Sequence, residues 1–299
     1  MDIKSLRYFY ATAQALSFTQ AAKAMHVVQP AISMAVKKLE EELSLTLFHR
    51  YDRKIALTDE GRILLGHCQR IFQAIDDAKV EMDELRGLTK GEVRVGIPNM
   101  LGSYYFPEIF MAFRKAYPSL TVSVTEGGAS DLQQQLEQGK LDVTMLVAAS
   151  ASPSLMTQTI IKEPMMVIMP TDHPLAQHSA VDVEQFFAHN LILFKHGYFH
   201  RNLVDRLAKE HKMPLKISFE TNILQLMKSM VVANEGLTTL LPRVIQDTPA
   251  LTARPFTTSV ELNLSIAWRK EGYLSVANQT FIDFLLNEGR QLIHQPSNS

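Results

Sequence analysis

The sequence is poor in the features that most often announce chemistry. One cysteine, Cys68, stands in 299 residues. That excludes an intrachain disulfide framework and suits a reducing compartment. Charge of one sign is also missing: 30 Lys and Arg against 31 Asp and Glu leave a formal net charge of −1. No global basic field draws the chain to nucleic acid, so any such binding has to come from a local patch. No apolar run is long enough to span a bilayer, and the first residues enter an amphipathic helix without a signal-peptide apolar region. A cytoplasmic protein with no membrane partner is therefore expected. The ten histidines show neither HExxH spacing nor a Cys/His ligand set, and GxGxxG, GxxxxGK[ST] and GxSxG are all missing. Scattered carboxylates make no catalytic pair without geometry to place them. The expectation is no metal, no cofactor and no enzyme.

What is present is ordinary in composition, 46% apolar and 20% charged, and long enough for two or three domains with cores. The densest pattern lies in Ser17–Leu43. Ser17 and Gln20 have capping-box spacing. Phe18, Ala21, Ala22 and Met25 form a short apolar face, and His26-Val27-Val28 reads as a turn. Pro30 suits the first turn of a second helix. That helix would bury Ile32, Val36, Leu39 and Leu43 and show Gln29, Ser33, Met34, Lys37 and Lys38 on its other face. This is the build of a helix-turn-helix, although paired short helices are often only structural. A helix over 3–14 precedes it. Two short extended runs follow, Leu45–Phe48 and Lys54–Leu57, around a charged turn. Three helices and a basic hairpin describe a winged helix-turn-helix, with Arg50, Arg53 and Lys54 placed for phosphates or a minor groove.

The run from Leu6 to Gly61 resembles the DNA-binding domain of LysR-type transcriptional regulators. The likeness rests on SFTQAA, QPAIS, LEEEL, LF-x-R and LT-x-x-G, here Ser17–Ala22, Gln29–Ser33, Leu39–Leu43, Leu47–Arg50 and Leu57–Gly61. By position it implies that Gln29, Pro30, Ser33, Met34 and Lys37 face the groove and that Arg50 and Arg53 contact wing and backbone. Members often carry a basic or polar residue where Met34 stands. A thioether cannot bond a guanine edge in bidentate fashion, so a thymine methyl becomes the expected contact.

Thr58 reads as an N-cap before a long helix to about Leu88. Leu64, Cys68, Ile71, Ile75, Ala78, Met82 and Leu85 recur at 4-3-4-3-4-3 spacing, a heptad seam. An amphipathic helix packed on its own domain would also produce such a face. The resemblance implies a coiled-coil linker helix that pairs two DNA-binding domains, with Cys68 a buried hydrophobe.

Beyond Gly87–Gly91, strands and helices alternate, which is α/β with a mainly parallel sheet. Strands are expected near 92–97, 120–125, 141–147, 165–169, 191–194, 216–220, 237–241 and 260–268. Helices are expected near 103–117, 130–138, 201–212, 222–234 and 276–294. Two crossings between lobes give a hinged receptor, and the resemblance extends to the periplasmic-binding-protein-like effector domain. The whole is thus an α+β multi-domain chain: a winged helix-turn-helix at 1–58 (the motif itself about 18–37), a linker and dimerisation helix at 59–88, and an effector domain at 91–299. Lobe I would comprise about 91–162 and 267–299, and lobe II about 163–266.

Ligands of open α/β sheets sit at strand carboxyl ends beside helix N-termini. The resemblance places Asn99, Met100, Ser130, Phe199 and Thr221 in the cleft. Ser103, Tyr198, His200 and Arg201 are further candidates, and a lone Ser, Thr or Asn here also serves as a helix cap. Free N–H groups favour an anion, so a small organic acid is the expected effector. The resemblance implies a ligand-responsive transcriptional regulator with promoter DNA, a small-molecule effector, a homodimer or homotetramer and RNA polymerase as partners. The alternatives are a solute-binding protein or enzyme built on the same two-lobed domain, and a DNA-architectural protein without small-molecule input.

Overall fold

The computed structural model describes residues 1–51, 54–86, 91–148 and 151–294, with the side chains of 51, 54, 293 and 294 left aside. The chain divides into two compact units, Met1–Met82 and Asp83–Ser299.

In the first unit, α1 (Ile3–Ala15), α2 (Phe18–Ala24) and α3 (Gln29–Leu43) precede a hairpin of β1 (Phe48–Tyr51) and β2 (Lys54–Leu57), followed by α4 (Asp59–Leu85). Ser17 Oγ accepts from Gln20 N at 3.2 Å, the Ser17 half of the expected box. The turn between α2 and α3 needs His26 at φ 53°, and α3 stops where Ser44 takes φ 55°. Phe9, Ala21, Ala22, Ile32, Val36, Leu39, Leu47, Phe48 and Cys68 form the core. The Phe48 ring lies 5.4 Å from that of Phe9 and 5.8 Å from that of Phe18, so burying it locks the hairpin onto the helices.

The first wing strand is not Leu45–Phe48 but Phe48–Tyr51, paired antiparallel from Phe48↔Leu57 to Tyr51↔Lys54. Residues 44–47 are captured by the end of α3 instead: Leu45 N donates to Glu40 O, and Leu47 N donates to the Glu40 carboxylate at 2.8 Å. The LT-x-x-G run has a matching cause. Thr58 Oγ1 accepts from Gly61 N at 2.9 Å and donates to Thr46 O at 2.7 Å. A Cβ on Gly61 would lie 2.2 Å from Leu47 O, so only glycine admits that crossing.

The second unit has two lobes. In the first lobe the strands are β3 (Glu92–Ile97), β4 (Thr121–Glu126), β5 (Val143–Val147), β6 (Leu155–Pro164) and β12 (Glu261–Arg269), in the order β4-β3-β5-β12-β6. Its helices are α5 (Asn99–Tyr104), α6 (Phe106–Ala116), α7 (Ala129–Glu137), α11 (Val276–Phe284) and α12 (Arg290–His294). The second lobe holds β7 (Met166–Pro170), α8 (Val183–Ala188), β8 (Leu191–Leu193), α9 (Phe199–Glu210), β9 (Ile217–Glu220), α10 (Leu224–Val232), β10 (Thr238–Leu240) and β11 (Leu251–Pro255). There β10-β7-β11 form one sheet and β8-β9 another, joined by a bridge from Leu191 to Leu237.

Several expectations need correction. The helix expected at 103–117 begins at Asn99 and breaks at Tyr105, because Pro107 has no N–H to give the Ser103 carbonyl. The final helix is interrupted by a π-helical turn, Leu285–Gly289. β6, β11 and α8 carry no sequence signal strong enough to name them. The sheets are not mainly parallel: the five-stranded one is mixed, since β12 runs antiparallel to β5 and β6, and β10-β7-β11 is antiparallel throughout. The first lobe resumes at Glu261, not 267, because β12 pairs along its whole length with β6. At the crossing between lobes, Met165 N donates to Val260 O at 2.8 Å, so the two connecting strands hold each other.

Candidate functional site: a nucleic-acid face and an interlobe cleft

The α3 face follows from what its other side buries. With Ile32, Val36 and Leu39 in the core, Gln29, Pro30, Met34 and Lys37 are exposed and Ser33 is partly so. Met34 is 71% exposed, as is Val28 at the helix N-cap, a residue the spacing argument passed over. Two large apolar side chains thus stay in water beside polar ones, on a helix whose opposite stripe is saturated. Among the described residues Lys37 is bridged only to Glu41, at 3.7 Å.

Beside this face the wing is anchored by Glu40, which sequence reasoning did not single out. One carboxylate oxygen accepts from Leu47 N and Phe48 N, at 2.8 and 3.3 Å, and the other from Arg50 Nη2 at 3.0 Å. The Arg50 guanidinium also stands over the Phe18 ring at 5.5 Å. Arg50 is thus oriented by α3 itself while its side chain stays 46% exposed. Lys54 opens β2, whereas Arg53 lies outside the described residues.

The α4 seam divides into two parts. Cys68 is fully buried, and Leu64 and Ile71 pack against the same winged-domain core. Burial pushes the Cys68 thiol up to about 11, which keeps it protonated and unreactive. These three residues are spent on the chain's own domain, so they are a poor surface for a second helix. Ile75 is half-buried, and Ala78, Met82 and Leu85 are exposed. The part of the seam available for pairing is its second half.

Between the lobes of the second unit is a cleft of about 440 Å³ lined by Asn99, Ser103, Tyr104, Glu126, Tyr198, Asn222, Ile223, Leu224 and Gln225. The lobes approach closely beside it: a Cβ on Gly128 would lie 3.1 Å from Gly197 O and 3.4 Å from the Tyr198 ring. Three of the expected residues, Asn99, Ser103 and Tyr198, line the cleft. Tyr198 stacks on Phe194 at 5.4 Å. Its phenol is raised above the ordinary range, first by burial and then by the charges of Glu126 and Asp131.

The other expectations fall elsewhere. Met100 and Phe199 are buried in the core. Thr221 is buried, with Oγ1 accepting from Ile223 N at 3.0 Å, and so shapes the approach to α10 rather than the lining. Ser130 is exposed in the first turn of α7 and is not among the lining residues. Arg201, 5% exposed, donates to Asp205 at 2.7 Å, to Glu220, and to Phe194 O at 3.3 Å. It is consumed within its own lobe and has no charge to spare for a ligand acid. Asn222, in the Thr221-Asn222 turn before a helix, also lines the cleft, while Tyr104, Glu126 and Gln225 were missed as cleft residues; Glu126 ends a strand just before Gly127-Gly128, which was the available signal.

Tyr104 also reaches across the lobes. Lys228, 1% exposed, donates to Tyr104 Oη at 2.9 Å, Asp247 Oδ1 at 2.5 Å and Val244 O at 3.3 Å. Burial opposes its charge, but the bonds to Asp247 and Tyr104 outweigh it and raise the ammonium's proton affinity. Nearby, Arg243 faces Glu108 at 3.6 Å and the Tyr105 ring at 5.4 Å, while Tyr105 Oη donates to Glu163 at 2.5 Å. One hydrogen bond across the lobes therefore ties the lining residue Tyr104 to the Lys228–Asp247 ion pair of the second lobe.

A winged helix-turn-helix on a long helix, followed by a two-lobed α/β receptor with a polar cleft, defines a ligand-responsive DNA-binding protein. Residues 3–62 match the model of the bacterial regulatory helix-turn-helix protein, lysR family, and residues 86–290 match that of the LysR substrate binding domain. The chain belongs to the LysR family of DNA-binding transcriptional regulators. It is 32% identical over 287 residues to the uncharacterized HTH-type transcriptional regulator YwbI of Bacillus subtilis (strain 168), covering 95% of each chain. A full-length OxyR variant from Pseudomonas aeruginosa is similar in structure, with a TM-score of 0.70, 24% identity and coverage of 99% of this chain and 96% of that one. Full-length CbnR, solved in complex with its target DNA, superposes with a TM-score of 0.65 at 21% identity, over 97% of this chain and 100% of that one. Among the described residues no helix is long and apolar enough to cross a membrane.

Proposed function

We propose that α3 enters the major groove of promoter DNA with Gln29, Pro30, Ser33, Met34 and Lys37 toward the bases and backbone, flanked by Arg50, Arg53 and Lys54 of the wing. Exposed Met34 carries this reading: it stands amid polar neighbours on the one face of α3 that the core leaves open. CbnR, solved on its target DNA, lends support through a shared fold. Two copies pair through the free half of the α4 seam, as a homodimer or as half of a homotetramer, and the assembly acts on RNA polymerase at the promoter. A small molecule in the interlobe cleft biases lobe closure, and it can shift the equilibrium only by its differential affinity for the two arrangements. The response is not a thiol one in that domain, because the single cysteine, Cys68, lies outside it.

A mobility-shift titration over a range of salt concentrations tests the DNA face. Lys37→Ala should weaken binding and lower the slope of log K against log salt by about 1, the value for one lost phosphate contact. An unchanged slope together with unchanged affinity would remove Lys37 from the interface.

A further inference from the structure

The sign of charge in the cleft is fixed by the structure. Among the lining residues one side chain is a carboxylic acid and none is a Lys, Arg or His: Glu126, at the carboxyl end of β4. Asn99 Nδ2 donates to its Oε1 and holds it in place. Among the described residues Glu126 has no cationic partner. Asp131 adds a second negative charge to the field felt by Tyr198. Three buried cations on the surrounding elements are paired elsewhere. Arg201 pairs with Asp205 and Glu220, Lys228 with Asp247, and Arg243 with Glu108. His196 faces Asp205 at 3.6 Å, and Lys195, whose backbone N–H donates to Asn222 Oδ1 at 3.1 Å, is not among the lining residues. A carboxylate entering here would meet the Glu126 carboxylate, with Arg201, Lys228 and Arg243 already paired. A cationic nitrogen would meet a ready acceptor in Glu126.

We propose that the cleft takes a small molecule bearing a cationic nitrogen, an ammonium or amidinium group, which pairs with Glu126 while the amides of Asn99, Asn222 and Gln225 hydrogen-bond the remainder. This rests on the reading that the cleft is the effector site, and it reverses the organic acid that helix N-termini alone suggested. The volume of about 440 Å³ suits a molecule of amino-acid or small-aromatic size.

The test is a thermal-shift series on the full-length protein with amines and acids matched in carbon skeleton: putrescine against succinate, benzylamine against benzoate, ethanolamine against glycolate. At least one amine should raise Tm while its acid does not. Glu126→Gln should keep the unliganded Tm, since the side chain is exposed, and weaken that amine's binding about tenfold or more, as for a lost charge-assisted hydrogen bond. Glu126→Lys should turn the preference toward the acids. If acids stabilise the wild-type protein and Glu126→Gln binds them no more tightly, the charge assignment is overturned while the cleft stands as the effector site. If no compound of either series moves Tm, the cleft itself is refuted as a site for such molecules, and the proposal falls with it.

Discussion

Replacing Glu40 separates the wing's anchor from its DNA contacts. In Glu40→Ala, Leu47 N loses a 2.8 Å bond to a carboxylate and Phe48 N a weaker one at 3.3 Å. Both residues are almost fully buried, so water cannot easily replace the acceptor. Leaving a buried donor unpaired costs about 1–3 kcal/mol. The ion pair with half-exposed Arg50 adds no more than about 1 kcal/mol after solvent screening. The expected destabilisation of the wing is about 2–4 kcal/mol, dominated by the Leu47 bond. Glu40→Gln keeps an oxygen for the two amides and loses only the charge, so about 1 kcal/mol or less is expected. Hydrogen exchange followed at individual amides reads this directly. In the alanine variant Leu47 and Phe48 should exchange roughly 30-fold to several-hundred-fold faster, and in the glutamine variant nearly as in the wild type. DNA affinity should fall in the alanine variant because Arg50 loses its orienting partner. Unchanged exchange at both amides in Glu40→Ala would refute the claim that this carboxylate holds the wing.

Two further outcomes follow from burial. Ile75→Asp should dissociate the assembly in sedimentation velocity, whereas Leu64→Ala should chiefly lower the stability of the winged unit; the opposite pattern would reverse the division of the seam. His200 packs 3.9 Å from the Phe199 ring and 4.9 Å from that of Phe194, and its buried Nε2 has no partner among the described residues. Burial lowers its pKa to about 3 from the ordinary 6.5. The unfolded chain therefore takes up a proton between those values that the folded chain refuses. Stability is lost as pH falls through that window, by at most about 1.4 kcal/mol per pH unit. His200→Leu should flatten this part of the profile in urea unfolding at a series of pH values, and an equally steep profile in the variant would exclude His200 as its source.

What the sequence determined by itself was local. Ser17, Thr58 and Gly61 punctuate helices through bonds to residues a few places away, Pro30 does so because the first turn needs no N–H from it, and apolar spacing in α3 fixes which side of it must be buried. The winged module, the long helix and the alternating α/β order were legible for that reason, as were Asn99, Ser103 and Tyr198 at strand-to-helix turns. The tertiary structure decided whatever depends on partners far apart in the chain. β6 and β12 meet across about a hundred residues, and no window of sequence reports that pairing. The seam of α4 keeps one period throughout, and only the folded winged domain covers Cys68 while leaving Met82 and Leu85 in water. Arg201 sits at the start of a helix, where it could reach a ligand, until Glu220 and Asp205 claim it. Lys228 is held by Tyr104, 124 residues away. Charge in a cleft is the sum over side chains left unpaired after folding. The sequence could supply the inventory of those charges, and the packing of the two lobes chose Glu126 as the one that faces the ligand space.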